Sequence, residues 1–121
     1  MDIVTDVKRE MRPLTPAEFE VLLALADGEK HGYAVLKAIG RGRDAPALGP
    51  ATLYTVIRRF LESGWIAESA DRPDPALDDE RRRYYRLTEA GRAVARAEAG
   101  RMESVLADAR AKHLLRRPRR A

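Results

Sequence analysis

The segment from Gly49 to Gly64 constrains this chain most, because residue type sets both of its ends and both of its faces. Pro50 stands at the first helical position, where a missing N–H costs nothing, and Gly64 suits the left-handed conformation that stops a helix. At about 100° per residue, Leu53, Ile57, Phe60 and Gly64 share one side, flanked by Val56 and Leu61, while Thr52, Thr55, Arg58, Arg59 and Glu62 lie away from it. One side closes a core and the other offers hydroxyl and guanidinium groups. A solvated surface helix has the same make-up, so the neighbouring segments must separate the two readings.

Those neighbours come in a telling order. Thr15, Pro16 and Glu18 make a capping box that opens a first helix. Its stripe of Phe19, Leu22, Leu23 and Ala26 is broadened by Val21 and Leu25, and Gly28 stops it. A second helix is predicted from about Gly32 to Ile39, with Tyr33, Leu36 and Ile39 inward and Lys37 outward, before the basic loop Gly40-Arg41-Gly42-Arg43-Asp44. After Gly64, the residues from Trp65 to Ser69 alternate as a short strand, Pro73 and Pro75 mark a turn-rich stretch, and Arg82 to Leu87 closes a hairpin. Helix, helix, helix, strand, loop, strand is the order of a winged helix-turn-helix.

Thr88 then caps a long helix, with Glu89 in its first turn suiting the positive end of the helix dipole. From Ala90 to about Leu115 the chain is rich in Ala, and Val94, Met102, Val105, Leu106, Ala109 and Leu114 form a seam interrupted by Glu98 and Arg101. A helix of roughly 25 residues is about 37 Å long. That is too long for its stripe to be buried on one small domain, so a second copy is expected to cover it. The expected interface is Phe19, Val94, Met102, Val105, Leu106 and Ala109, with Ile3, Val4 and Val7 as further candidates. A stripe folded back on its own domain is the alternative. The expected fold is mostly α with a small β-hairpin, a winged helix-turn-helix plus a long C-terminal dimerisation helix. Residues 1–13 form an N-terminal arm, 14–87 the DNA-binding domain, 88–115 the dimerisation helix and 116–121 a basic disordered tail.

Composition narrows the function classes. A chain of 121 residues supports one core and leaves little room for a large buried substrate cleft, and its net charge of +4 leans toward polyanionic partners. Zero cysteines exclude a disulfide framework and a thiolate zinc site. His31 and His113 have no metal-ligating neighbour at helical spacing, and no Gly-rich phosphate loop follows a strand. Neither enzyme activity nor a metal or cofactor is expected. The apolar run Val21 to Ala26 is far too short to cross a bilayer, and the first residues, with Asp2 and Asp6, contain no signal-peptide core, so a cytoplasmic protein is expected.

Five motifs, in order and in spacing, resemble the PadR family of bacterial transcriptional regulators: Leu14-Thr15-Pro16; His31-Gly32-Tyr33; Gly49-Pro50-Ala51-Thr52-Leu53-Tyr54; Glu62-Ser63-Gly64-Trp65-Ile66; and the run from Arg82 to Arg92. The resemblance covers about residues 14 to 115 and is to the short subgroup with a single C-terminal dimerisation helix. It implies a homodimer that binds a palindromic operator in double-stranded DNA, usually as a repressor, and is released by a small molecule or another signal. Ala51 stands where the family often has Gly, which places an added methyl near the DNA.

The residues also support DNA binding on physical grounds. In a helix lying in the major groove, Thr55 is central to the reading face, with Thr52 and Arg59 on one flank and Arg58 on the other. Tyr54 sits at the boundary, where its ring packs and its hydroxyl reaches a phosphate, or where it is simply a core-edge aromatic. Lys37 and the Lys30-His31 turn are placed for backbone phosphate. Arg81, Arg82 and Arg83 lie at the base of the wing, behind an acidic loop of Asp71, Asp74, Asp78, Asp79 and Glu80 that keeps the tip outside the groove. Two other readings stay open: a winged helix turned protein-interaction module, and an activator without an effector pocket.

Overall fold

The structure, a computed structural model, describes residues 13–39, 48–69 and 83–116. The first helix, α1 (Pro16–Leu25), begins with the expected capping box: the Thr15 hydroxyl accepts the Glu18 N–H at 3.1 Å, and the Glu18 carboxylate accepts the Thr15 N–H at 2.9 Å. Its inward face matches the predicted stripe only in part. Val21, Leu22 and Leu25 are buried together with Glu18, whereas Leu23 is exposed and Phe19 half-buried. The run from Val21 to Leu25 is apolar on every side, so periodicity alone cannot choose a face. Glu18 faces inward to pair with Arg59, and positions 21, 22 and 25 lie on the same side of the helix.

Strand β1 (Lys30–His31) leads into α2 (Gly32–Ala38), capped by His31, whose Nδ1 accepts the Ala34 N–H at 3.0 Å. Gly32 and Val35, three residues apart, make the buried face of α2, with Leu36 and Ile39 half-buried. Tyr33 points outward, contrary to expectation, because Gly32, one position before it, is the residue seated against Tyr54. The third helix, α3 (Pro50–Ser63), buries Leu53, Val56, Ile57 and Phe60. Gly64 ends it with φ 77°, and the Trp65 N–H donates to the Phe60 carbonyl at 2.9 Å, a Schellman closure.

Strands β2 (Ile66–Glu68) and β3 (Tyr84–Leu87) pair antiparallel, Ile66 opposite Leu87 and Glu68 opposite Tyr85. The expected hairpin is thus present but is part of a three-stranded sheet, because β1 joins the other edge of β3 with Lys30 opposite Tyr85. Two residues carry no period, which is why the sequence does not announce β1. Ile66 and Tyr85 complete a core that α1, α2 and α3 supply with Val21, Leu22, Leu25, Val35, Leu53, Val56, Ile57 and Phe60.

Thr88 joins this domain to α4 (Glu89–Ala111). Its hydroxyl accepts the Gly91 N–H at 3.0 Å and donates to the Gly64 carbonyl at 2.6 Å, while its own N–H donates to the Trp65 carbonyl at 3.1 Å. Loss of such a cap costs about 1 kcal/mol. The first half of α4 lies on α1, and Val94 and Ala95 pack against the core of the same chain. The helix stops at Ala111, short of the expected Leu115: His113 takes a left-handed φ of 64° and the Leu114 N–H closes on the Ala109 carbonyl at 2.8 Å.

Glu98 does not merely interrupt the seam. It is 6% exposed, accepts the Leu14 N–H at 2.7 Å and pairs with Arg101. The Arg101 guanidinium and, secondarily, the Leu14 N–H hold its carboxyl below the ordinary glutamate range, against the opposing effect of burial. A carboxyl whose pKa is lower in the folded than in the unfolded chain stabilises the fold above the unfolded value, about 4.3, and that contribution disappears as the pH falls through the folded one. Urea midpoints measured from pH 7 to pH 3 should therefore fall on the acid side of that range in the wild type, and Glu98→Gln should show a smaller fall. Equal acid sensitivity in the two proteins would remove Glu98 from the explanation.

Candidate nucleic-acid interface

The outward side of α3 carries Ala51, Thr52, Thr55, Arg58, Arg59 and Glu62, all exposed, on a helix whose opposite side is fully buried. A rigid core therefore presents these side chains at defined positions. The Thr55 hydroxyl donates to the Ala51 carbonyl one turn back at 3.0 Å. Its proton is committed to the helix, so toward a ligand it offers lone pairs and a methyl group, which suits a base amino group or the methyl of thymine. Thr52 and Arg58 lie exposed on either side of it.

Arg59 has a second engagement. Its Nη1 lies 3.0 Å from Glu18 Oε2, and the other oxygen of that buried carboxylate closes the α1 capping box. The pair ties the middle of α3 to the start of α1, and about half of the Arg59 side chain remains exposed. Inward placement of Glu18 is a feature the sequence reading missed, since a carboxylate three residues after a cap is ordinarily solvated.

Tyr54 is half-buried and lies against the start of α2: a Cβ added at Gly32 would sit 2.7 Å from its hydroxyl oxygen and 2.9 Å from a ring carbon. Its ring therefore packs α3 on α2. Lys30 is not placed as expected. Its ammonium donates to the Ala24 carbonyl at 2.7 Å and to Asp27 Oδ1 at 2.5 Å, closing the end of α1, and it holds the exposed Asp27 carboxyl below its ordinary range. Lys37 is exposed, with Nζ 4.7 Å from the centroid of the Tyr33 ring. Arg83 is half-exposed, its Nε 3.8 Å from Glu68 Oε1. Arg81, Arg82 and the acidic wing residues lie outside the described residues, as do Ile3, Val4, Val7 and the basic loop at 40–44.

Of the residues assigned to a dimer seam, Phe19, Met102 and Ala109 are half-buried, Val94 meets its own core, and Val105 and Leu106 are 53% and 42% exposed. Among the described residues no three His, Asp or Glu side chains come together to hold a metal ion, and no helix is long and apolar enough to cross a membrane.

Comparison with known proteins adds to this geometry. The sequence model of the transcriptional regulator PadR-like family matches residues 21–97. The fold is similar to that of a PadR family transcription regulator from Clostridium difficile R20291, with a TM-score of 0.65 and 16% identity over 79% of this chain and 96% of that one. It is also similar to BpsR of Bordetella bronchiseptica, whose DNA binding is regulated by 6-hydroxynicotinic acid, with a TM-score of 0.61 and 31% identity over 85% of this chain and 72% of that one. An uncharacterised 37.1 kDa protein in transposon TN4556 of Streptomyces fradiae is 39% identical over 83 residues, 69% of this chain. The chain spans 22% of the length of that relative.

Proposed function

The chain belongs to the transcriptional regulator PadR-like family, and from that premise we propose that it is a homodimeric repressor reading an inverted-repeat operator through α3. The observation that carries the reading is the contrast between the two sides of α3: Leu53, Val56, Ile57 and Phe60 buried, Thr52, Thr55 and Arg58 exposed. Thr52, Thr55 and Arg58 read base edges. Arg59, held by Glu18, sets the angle of α3 and spares part of its guanidinium for the adjacent backbone. The distal part of α4, with Val105 and Leu106 uncovered, receives a second copy of the chain. The proposed site of action is the cytoplasm, and release follows a small-molecule effector. In BpsR, 31% identical to this chain, DNA binding is regulated by a small aromatic acid, which supports that last element.

The test is a nuclease footprint on the DNA upstream of the protein's own gene, followed by titration of the protected duplex. Thr55→Ala and Arg58→Ala should each cost about 1–3 kcal/mol on that operator and much less on random DNA. Absence of any protected, symmetric site would count against the operator reading. Equal losses on both DNAs would move Thr55 and Arg58 to the phosphate-contacting class.

A further inference from the structure

Tyr33 is a large side chain that the core does not use. It is 52% exposed, yet two side chains lie against its ring. The His31 ring stacks against it, centroids 6.4 Å apart and planes 11° from parallel, and Lys37 Nζ stands 4.7 Å from its centroid. His31 is itself fixed, by its cap bond to Ala34 and by an edge-on contact with Tyr84 of β3 at 5.5 Å. Strand β3, β1 and α2 thus contribute to one ordered array, Tyr84–His31–Tyr33–Lys37, which ends in a phenol and an ammonium group at the surface.

We propose that Tyr33 and Lys37, buttressed by His31 and Tyr84, form a contact for the phosphate backbone of duplex DNA beside the groove that α3 enters. The proposal rests on the DNA-binding reading and adds Tyr33 to it. Chemistry and position support it. Phenol O–H and ammonium N–H are both donors suited to an anionic oxygen, and the array holds them without a carboxylate of its own. Stacking removes the rotamer freedom that a solvated Tyr and Lys would lose on binding. Gly32, between His31 and Tyr33, touches Tyr54 of α3, so the array adjoins the reading helix. The first helix of a helix-turn-helix crosses the backbone while the second lies in the groove.

Phosphate contacts carry no sequence information, so a random 30-base-pair duplex serves as the probe, alongside the footprinted operator. Binding is followed by fluorescence anisotropy across a salt series for wild type, Tyr33→Phe and Lys37→Gln. Tyr33→Phe keeps the ring and hence the fold, and should weaken binding to both duplexes alike by about three- to tenfold. Lys37→Gln should weaken both and lower the slope of log affinity against log salt by about one. Variants that match a wild type able to bind DNA overturn the contact alone, as does a loss confined to the operator, which would make Tyr33 a base reader. A wild type that binds neither duplex overturns the regulator reading as well.

Discussion

Gly91→Ala is expected to lower stability by about 2 kcal/mol or more, and the melting temperature by roughly 10 °C. A Cβ at Gly91 would overlap the Trp65 carbonyl oxygen, 2.8 Å from its carbonyl carbon and 2.9 Å from Leu87 Cδ1. The Leu87 methyl can turn away, but the carbonyl cannot. Its oxygen accepts the Thr88 N–H at 3.1 Å, and the N–H of the same residue closes the end of α3 on Phe60. Relief would mean lifting the start of α4 from the domain or opening the α3 terminus, and with it the Thr88 bonds to Gly64 and Gly91. Alanine recovers up to about 1 kcal/mol in helix propensity, which is less than the overpacking costs. Gly100 of the same helix is the control, since nothing lies within 4 Å of a Cβ there. Gly100→Ala should therefore be neutral or stabilising. The check is thermal and urea unfolding at fixed protein concentration, which matters if the protein self-associates. A Gly91→Ala protein that melts with the wild type would mean that α4 does not start where Thr88 places it.

The same region shows what the sequence makes legible. Thr15, Pro16, Pro50, Gly64 and Thr88 mark helix ends through chemistry confined to a few neighbouring residues, and each appears in the structure at its expected position. The core side of α3 is legible for a similar reason, because polar and apolar residues there alternate sharply enough to define one phase. Where the phase depends on something distant, the reading goes astray. The inward face of α1, a run that is apolar all round, is set where Glu18 meets Arg59 of α3. Strand β1 exists only because β3 pairs with it, and Tyr33 faces outward because Gly32 seats α2 against Tyr54 of α3. The charged groups are the least legible. Lys30, Arg59 and Glu98 look alike on a list of surface charges, yet Lys30 closes α1, Arg59 meets a buried carboxylate and Glu98 holds the Leu14 N–H across 84 residues of chain. Arg59 shows the consequence for the candidate interface: helical angle places it on the reading face, and a partner on another helix gives it a second role.

Val105→Glu combined with Leu106→Glu is expected to leave the protomer folded and to weaken operator binding by a factor on the order of a hundred to ten thousand. Both side chains lie beyond Glu98, the last buried residue of α4, and both are exposed, so a carboxylate at either position meets solvent in the isolated protomer. In the proposed dimer they face a second copy, where two glutamates per protomer would be desolvated next to their symmetry mates. The affinity loss follows from geometry rather than from any lost DNA contact. Two linked protomers place their α3 helices about 34 Å apart, or a multiple of that, so that the second half-site is engaged at high effective concentration. On the proposed reading a monomer engages only one half-site, with affinity set by Thr52, Thr55, Arg58 and the backbone contacts. Binding to a duplex carrying a single half-site should accordingly change little between the variant and the wild type, while binding to the full inverted repeat collapses toward the half-site value. Sedimentation at micromolar concentration gives the matching structural reading, dimer for wild type and monomer for the variant. A wild type that sediments as a monomer, or a variant that stays dimeric, would remove the seam from α4. A monomeric variant with undiminished affinity for the inverted repeat would show that a single α3 suffices, and the two-fold argument for the operator would fall with it.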